Sequence, residues 1–217
     1  MIKSVIFDFD DTLCLTEENI FHLENAIAVK MGYQPMTREV HLANWGTPLE
    51  KAIQQRIPGV DAKEFMRLID IWTPIFVREG RLDAITLENL HVLDTLKSHG
   101  KRLGIVTSRT LLEARHLLHE DHPLTSRLES FYHKDNSDFL KPDHRVFDKI
   151  LFDLNSSPEQ TVYVGDAITD AKAAKEAGLH FIALMESGIR TRDDFADYDV
   201  DLFANKLTEV IPYVLTH

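Results

Sequence analysis

Cysteine is nearly absent from this chain of 217 residues: Cys14 stands alone, which excludes an intrachain disulfide and a cysteine-built zinc centre and fits a reducing compartment. Long apolar runs are missing too. No window approaches the roughly 18 uninterrupted apolar residues of a membrane span, so no bilayer partner is expected. The start, Met1-Ile2-Lys3-Ser4-Val5, lacks the basic, apolar and small-residue segments of a secretory leader, and the expectation is a cytoplasmic protein. Basic residues are in short supply: 24 Lys and Arg face 35 Asp and Glu, for a net charge of -11. Nucleic acid is therefore an unsuitable partner, because affinity for it rests on neutralising backbone phosphates. Internal repeats and low-complexity tracts are also lacking.

What is present is an ordinary folding composition, 44% hydrophobic and 27% charged, at a length that suits one large domain or a core with an insertion. Short apolar runs at Ile2 to Phe9, Arg102 to Val106, Thr161 to Val164 and His180 to Leu184 predict strands. Helical stripes lie between them. Leu87, Leu90, Leu93 and Leu96 form one, Val146, Phe147, Ile150, Leu151 and Leu154 a second, and Ile168, Ala171 and Ala174 a third. This alternation predicts an α/β fold with a doubly wound, mainly parallel, Rossmann-like sheet. The stretch from about Thr16 to Arg81 breaks the rhythm with successive amphipathic helices, punctuated at Gly32, Gly46-Thr47-Pro48 and Pro58-Gly59. The expected division is a core of 1–14 and 84–217 with an all-helical insertion at 15–83.

Four motifs end strands. Asp8-Phe9-Asp10-Asp11-Thr12 follows the first, and a two-residue spacing directs Asp8 and Asp10 to one side of an extended chain. Thr107-Ser108-Arg109 follows the second, with Ser108 or Thr110 as candidate helix cap. Lys141-Pro142 precedes a helical stripe, and Gly165-Asp166 with Asp170 brackets a strand-to-helix turn, where Gly165 permits a tight bend. Each alone is also explained by caps, turn acids or a solvated lysine. Together they matter more, because ligands of doubly wound sheets bind outside the carboxyl ends of the strands.

In this order and nearly throughout the chain, the motifs resemble the haloacid dehalogenase-like hydrolases, in particular the branch of phosphoglycolate phosphatases and β-phosphoglucomutases. That resemblance implies a phosphatase of small phosphorylated metabolites. Asp8 would be the nucleophile and Asp10 the proton donor and acceptor. Thr107, Ser108 and Lys141 would bind the phosphoryl group, and Asp8, Asp10, Asp166 and Asp170 would hold Mg2+. The helical insertion would be the cap over the substrate, with Asn19, His22, Trp45, Gly46, Thr47 and Arg109 as places to seek specificity. A metal and a local cluster of donors would answer the puzzle of an acidic protein binding an anion. The alternatives are a sugar phosphomutase with the same apparatus, a dehalogenase, which needs neither second acid nor metal, and a phosphoacceptor signalling module, which lacks the insertion. Three positions depart from the pattern: Asp11 stands where many members have Gly, Ala167 where many have Ser or Thr, and Leu15 at a position often acidic. His116, His119 and His122, spaced by three, drift round a helix and predict an exposed helix end rather than a metal site. The oligomeric state is not set by the sequence.

Overall fold

The computed structural model describes residues 1–45 and 49–217. They divide into two compact units, one of Met1–Cys14 with Ile85–His217, the other of Leu15–Ala84.

The first unit holds a six-stranded, wholly parallel sheet. Its strands are β1 (Ser4–Phe7), β2 (Arg102–Val106), β3 (Ser130–Tyr132), β4 (Thr161–Gly165), β5 (His180–Leu184) and β6 (Leu202–Ala204), in the spatial order β3-β2-β1-β4-β5-β6. Strand order reverses at β1, which pairs with β2 on one side and β4 on the other, so a crevice is expected where β1 and β4 end. Both faces are covered, as parallel sheets require. Alternate side chains explain how: Val5, Phe7, Val162, Val164, Ile182 and Leu184 enter one core, while Ile6, Tyr163, Phe181 and Ala183 enter the other. The helices of this unit are α5 (Leu87–Ser98), α6 (Leu111–Ala114), α7 (Asp148–Asp153), α8 (Ile168–Glu176) and α9 (Val210–Thr216).

Differences from expectation have physical causes. The first strand spans four residues, because the chain turns after Asp8: the Phe9 carbonyl accepts N–H groups from Thr12, Leu13 and Cys14. In α5, Leu90, Leu93 and Leu96 are buried but Leu87 is 86% exposed. Steps of three residues drift about 60° each, which turns Leu87 to the opposite side from Leu96. The chain after Pro142 opens with a 3-10 turn over His144–Phe147, capped by Asp143, before α7 begins. The strands β3 and β6 are three residues long and at the sheet edges, too short for a period-two signal.

The second unit is helical: α1 (Thr16–Lys30), α2 (Arg38–Leu42), α3 (Leu49–Arg56) and α4 (Ala62–Arg78). Leu23, Ile27, Ile53, Phe65, Leu68 and Phe76 form its core, with Trp72 packed against them. Gly32 and Gly59 adopt φ of 87° and 83° where the chain leaves a helix, which L side chains avoid. Polar groups are buried here as well. Arg56 grips Glu24 through two bonds of 2.7 and 2.8 Å and donates to the Asn44 carbonyl at 3.0 Å. The fully buried His41 ring stands 3.3 Å from Glu24 and 3.4 Å from Glu17, and Arg38 closes the cluster on Glu17. No helix of the described residues is long and apolar enough to cross a membrane.

Candidate active site

β1 and β4 end side by side at the point where strand order reverses, and each delivers an aspartate. Asp8 follows β1 directly, its backbone N–H bonded to the Val164 carbonyl at 2.8 Å, and Asp166 follows β4. Asp170 lies one turn into α8 and is fully buried. Among the described residues Asp8, Asp166 and Asp170 form the group able to hold a metal ion, with one oxygen from each within 4.8 Å of the others.

One ammonium serves this group. Lys141 Nζ is 2.7 Å from Asp170 Oδ1 and 3.0 Å from Asp8 Oδ1. The second contact is ionic without hydrogen-bond geometry, and among the described residues Asp8 Oδ1 has no hydrogen-bond partner. Burial pushes the Asp8 carboxyl up to about 7; Lys141 draws it back and the charges of Asp170 and Asp10 add to the rise. Asp166 is pushed well up by burial first, then by Asp170, Asp8 and Asp11. Among the described residues no hydrogen bond or ion pair holds the Asp166 carboxylate. Burial works against the charged form of Lys141, but Asp170 and Asp8 outweigh it and hold the ammonium well above its ordinary range. Three buried carboxylates against one lysine leave negative charge uncompensated, and a hard divalent cation with oxygen ligands fits that deficit.

Asp170 differs from its neighbours because its oxygens already have donors. Lys141 and the Tyr163 hydroxyl, at 3.1 Å, reach Oδ1, and the Ala167 N–H reaches Oδ2 at 3.0 Å. The last bond is half of a capping box; the Ala167 methyl has no acceptor to return the other half. Gly165 is needed for this approach rather than for a special turn. A Cβ there would sit 2.5 Å from Asp170 Oδ2.

The first motif does not act as an extended strand. Asp11 takes φ 51°, a conformation that Asp tolerates, and the two motif carboxylates find different partners. Asp8 meets Lys141, whereas Asp10, its side chain 33% exposed, is gripped by Arg109. The guanidinium Nε lies 3.1 and 3.0 Å from the two Asp10 oxygens, and Nη2 lies 2.6 Å from Oδ1.

Thr107 is buried at the end of β2, its N–H on the Tyr132 carbonyl at 3.0 Å and its hydroxyl accepting the Arg109 N–H at 3.3 Å. Ser108 is exposed in the turn, and Thr110 is the residue that caps α6. Lys141 and Pro142 are joined by a cis peptide. In the helical unit, Asn19 donates to the Leu15 carbonyl at 2.8 Å, His22 is exposed beside the Phe21 ring, and the half-buried Trp45 ring lies 5.2 Å from His41. Gly46 and Thr47 lie outside the described residues. His116 is half-buried in a 3-10 turn over Arg115–Leu118, and His119 ends that turn exposed.

Sequence reasoning missed Tyr163. Its hydroxyl accepts from Lys141 at 3.1 Å and lies within reach of both Asp170 and the Val106 carbonyl. The signal was a tyrosine in an apolar strand, whose buried O–H must find a partner.

The chain is similar to known proteins in sequence and in fold. The chain is 29% identical to the pyrophosphatase PpaX of Anoxybacillus flavithermus, over 97% of this chain and 95% of that protein. It is 26% identical to a phosphoglycolate phosphatase of Nitrosospira multiformis, over 96% and 93%. In fold it is similar to the structure of CbbY from Rhodobacter sphaeroides in complex with phosphate, with a TM-score of 0.71, 22% identity and coverage of 97% and 96%. The family model described as haloacid dehalogenase-like hydrolase matches residues 5–184, from the strand before Asp8 to the end of β5, and the chain belongs to that family.

Proposed function

We propose that this protein is a magnesium-dependent phosphatase of small phosphate esters that works through an aspartyl-phosphate on Asp8. The observation that carries the proposal is the uncompensated set of buried carboxylates, Asp8, Asp166 and Asp170, around one lysine at the strand-order reversal. Asp8 Oδ attacks phosphorus as the bond to the departing alkoxide breaks, and Asp10 gives that oxygen a proton. Water then attacks the phosphorus of the aspartyl-phosphate, Asp10 takes the water's proton, and the bond from phosphorus to Asp8 breaks.

The Asp8 and Asp166 carboxylates and the Asp10 backbone carbonyl are the ligands assigned to magnesium, whose charge would offset that of the phosphoryl oxygens. Asp170, already engaged by three donors, is assigned to orient Lys141. Lys141 balances phosphoryl charge, and the Thr107 hydroxyl and the backbone N–H groups of Phe9, Asp10 and Ser108 supply the remaining donors. The helical unit 15–84 is assigned the choice of ester. Pyrophosphate and phosphoglycolate, named for the two relatives, are the first candidates.

The test is phosphate release from a panel of esters and pyrophosphate, with magnesium and with chelator, against an Asp8→Asn blank. Release that needs both magnesium and Asp8 supports the proposal; release that survives Asp8→Asn removes the nucleophile. Incubation with β-glucose 1-phosphate separates hydrolysis, seen as free phosphate, from mutase transfer, seen as glucose 6-phosphate.

A further inference from the structure

Asp10 has two proton transfers to perform in the proposed reaction, yet no burial fixes it: a third of its side chain is exposed. What fixes it comes from the end of another strand. Arg109 is anchored at its backbone, with its N–H on the Thr107 hydroxyl and its carbonyl accepting the Lys134 N–H at 2.8 Å. Its guanidinium lies 4.6 Å from the centre of the fully buried Phe9 ring, which gives the fork a rigid backing. From there it closes on both oxygens of Asp10.

We infer that Arg109 is a positioning residue for Asp10, holding the carboxyl at the angle from which it hands a proton to the leaving oxygen. The inference rests on the assignment of Asp10 as proton-transfer group. A guanidinium suits the task because its planar fork restrains a carboxylate in two dimensions and, always charged, it neither takes nor gives the proton in transit. A lysine would fix one point and leave the carboxyl free to pivot. The same contact ties Thr107 and Asp10 together through one residue, so phosphoryl binding and proton delivery share a frame.

The test exploits the chemistry of the departing group. An alkyl phosphate needs its oxygen protonated as it leaves, whereas 4-nitrophenolate is stable without a proton. kcat/KM, which covers events up to departure of the alcohol, is measured on both esters for wild type, Asp10→Asn, Arg109→Met and the double variant. The expected result for Arg109→Met is a loss of about tenfold or more on the alkyl ester and less than about threefold on the nitrophenyl ester. The double variant should fall within about twofold of Asp10→Asn alone, since residues acting as one unit do not add. Equal losses on both esters, or losses that multiply in the double variant, would show Arg109 acting on substrate directly and overturn the inference. An Asp10→Asn protein indifferent to the leaving group overturns the role of Asp10, and that of Arg109 with it. A sensitive Asp10→Asn beside an indifferent Arg109→Met overturns Arg109 alone. If Arg109→Met does not fold, Arg109→Lys, which keeps the charge without the fork, is scored by the same criteria.

Discussion

Both units of this protein bury carboxylates, but they treat them differently. In the helical unit Glu24 is held by Arg56 through two short bonds, Glu17 by Arg38, and His41 stands between the two acids. In the sheet unit Asp8, Asp166 and Asp170 share one lysine, and Asp166 has no hydrogen-bond or ion-pair partner among the described residues. In the helical cluster two guanidinium groups answer two carboxylates, so its charges balance without a further ion. An uncompensated cluster is tolerable only if something else enters, and that difference separates architecture from a site.

The largest effect should come from the uncompensated side. Asp8→Asn is expected to reduce phosphate release by about a thousandfold or more, since the proposed reaction forms its phosphoryl bond on that carboxylate. The chelated variant should nonetheless melt above the chelated wild type, because one buried, repelled charge has gone. The compensated side should behave in the opposite way. Arg56→Met leaves Glu24 buried without its guanidinium and should lower unfolding free energy by about 3 to 5 kcal/mol in urea titrations. Magnesium affinity measured calorimetrically on the folded variant should be unchanged. If Arg56→Met were neutral, Glu24 would not depend on Arg56 for its charge balance.

Acidity gives a finer comparison. Folding raises the Asp8 carboxyl from 3.8 to about 7, so between those values the chelated native state binds a proton that the unfolded chain has released. The contribution of Asp8 to stability is then greatest below about pH 4 and is lost as pH rises towards 7, a change on the order of a few kcal/mol. The gap between wild type and Asp8→Asn in urea melts with chelator should widen in that direction, and saturating magnesium should close it. A gap independent of pH would mean that Asp8 is already ionised in the metal-free fold.

The smallest change is Tyr163→Phe. It removes one acceptor from Lys141 and one donor from Asp170 without altering the shape of the core, and about 1 to 2 kcal/mol of stability should be lost. Turnover should drop severalfold at most, well short of Asp8→Asn; an unchanged rate would limit Tyr163 to packing.

Much of this site was legible because Asp8, Thr107 and Asp166 follow strands directly and Lys141 stands before a proline, although in a loop nine residues past β3 rather than at a strand end. Asp8, Thr107, Lys141 and Asp166 each carried a recognisable neighbour in sequence, and alternation of helix and strand already predicted the parallel sheet. The Arg109–Asp10 pair was not legible, since 99 residues separate the two and no periodicity relates them. Tyr163 was hidden because a tyrosine in an apolar strand has the same hydrophobic pattern as a phenylalanine. The turn at Phe9 was misread as extended chain, since strand propensity does not record where ladder bonding stops.

The sequence by itself determined the class of fold, the helical insertion and the order of the four motifs, because those depend on hydrophobic period and local turn chemistry. Only the tertiary structure decided which charges are balanced. Compensation depends on distances between residues far apart in the chain, and those distances exist only once β1, β2 and β4 lie side by side. Lys141 divided between Asp8 and Asp170, Asp166 left without a partner among the described residues, and Asp10 held by Arg109 are therefore properties of the fold, although every one of those residues can be read in the sequence.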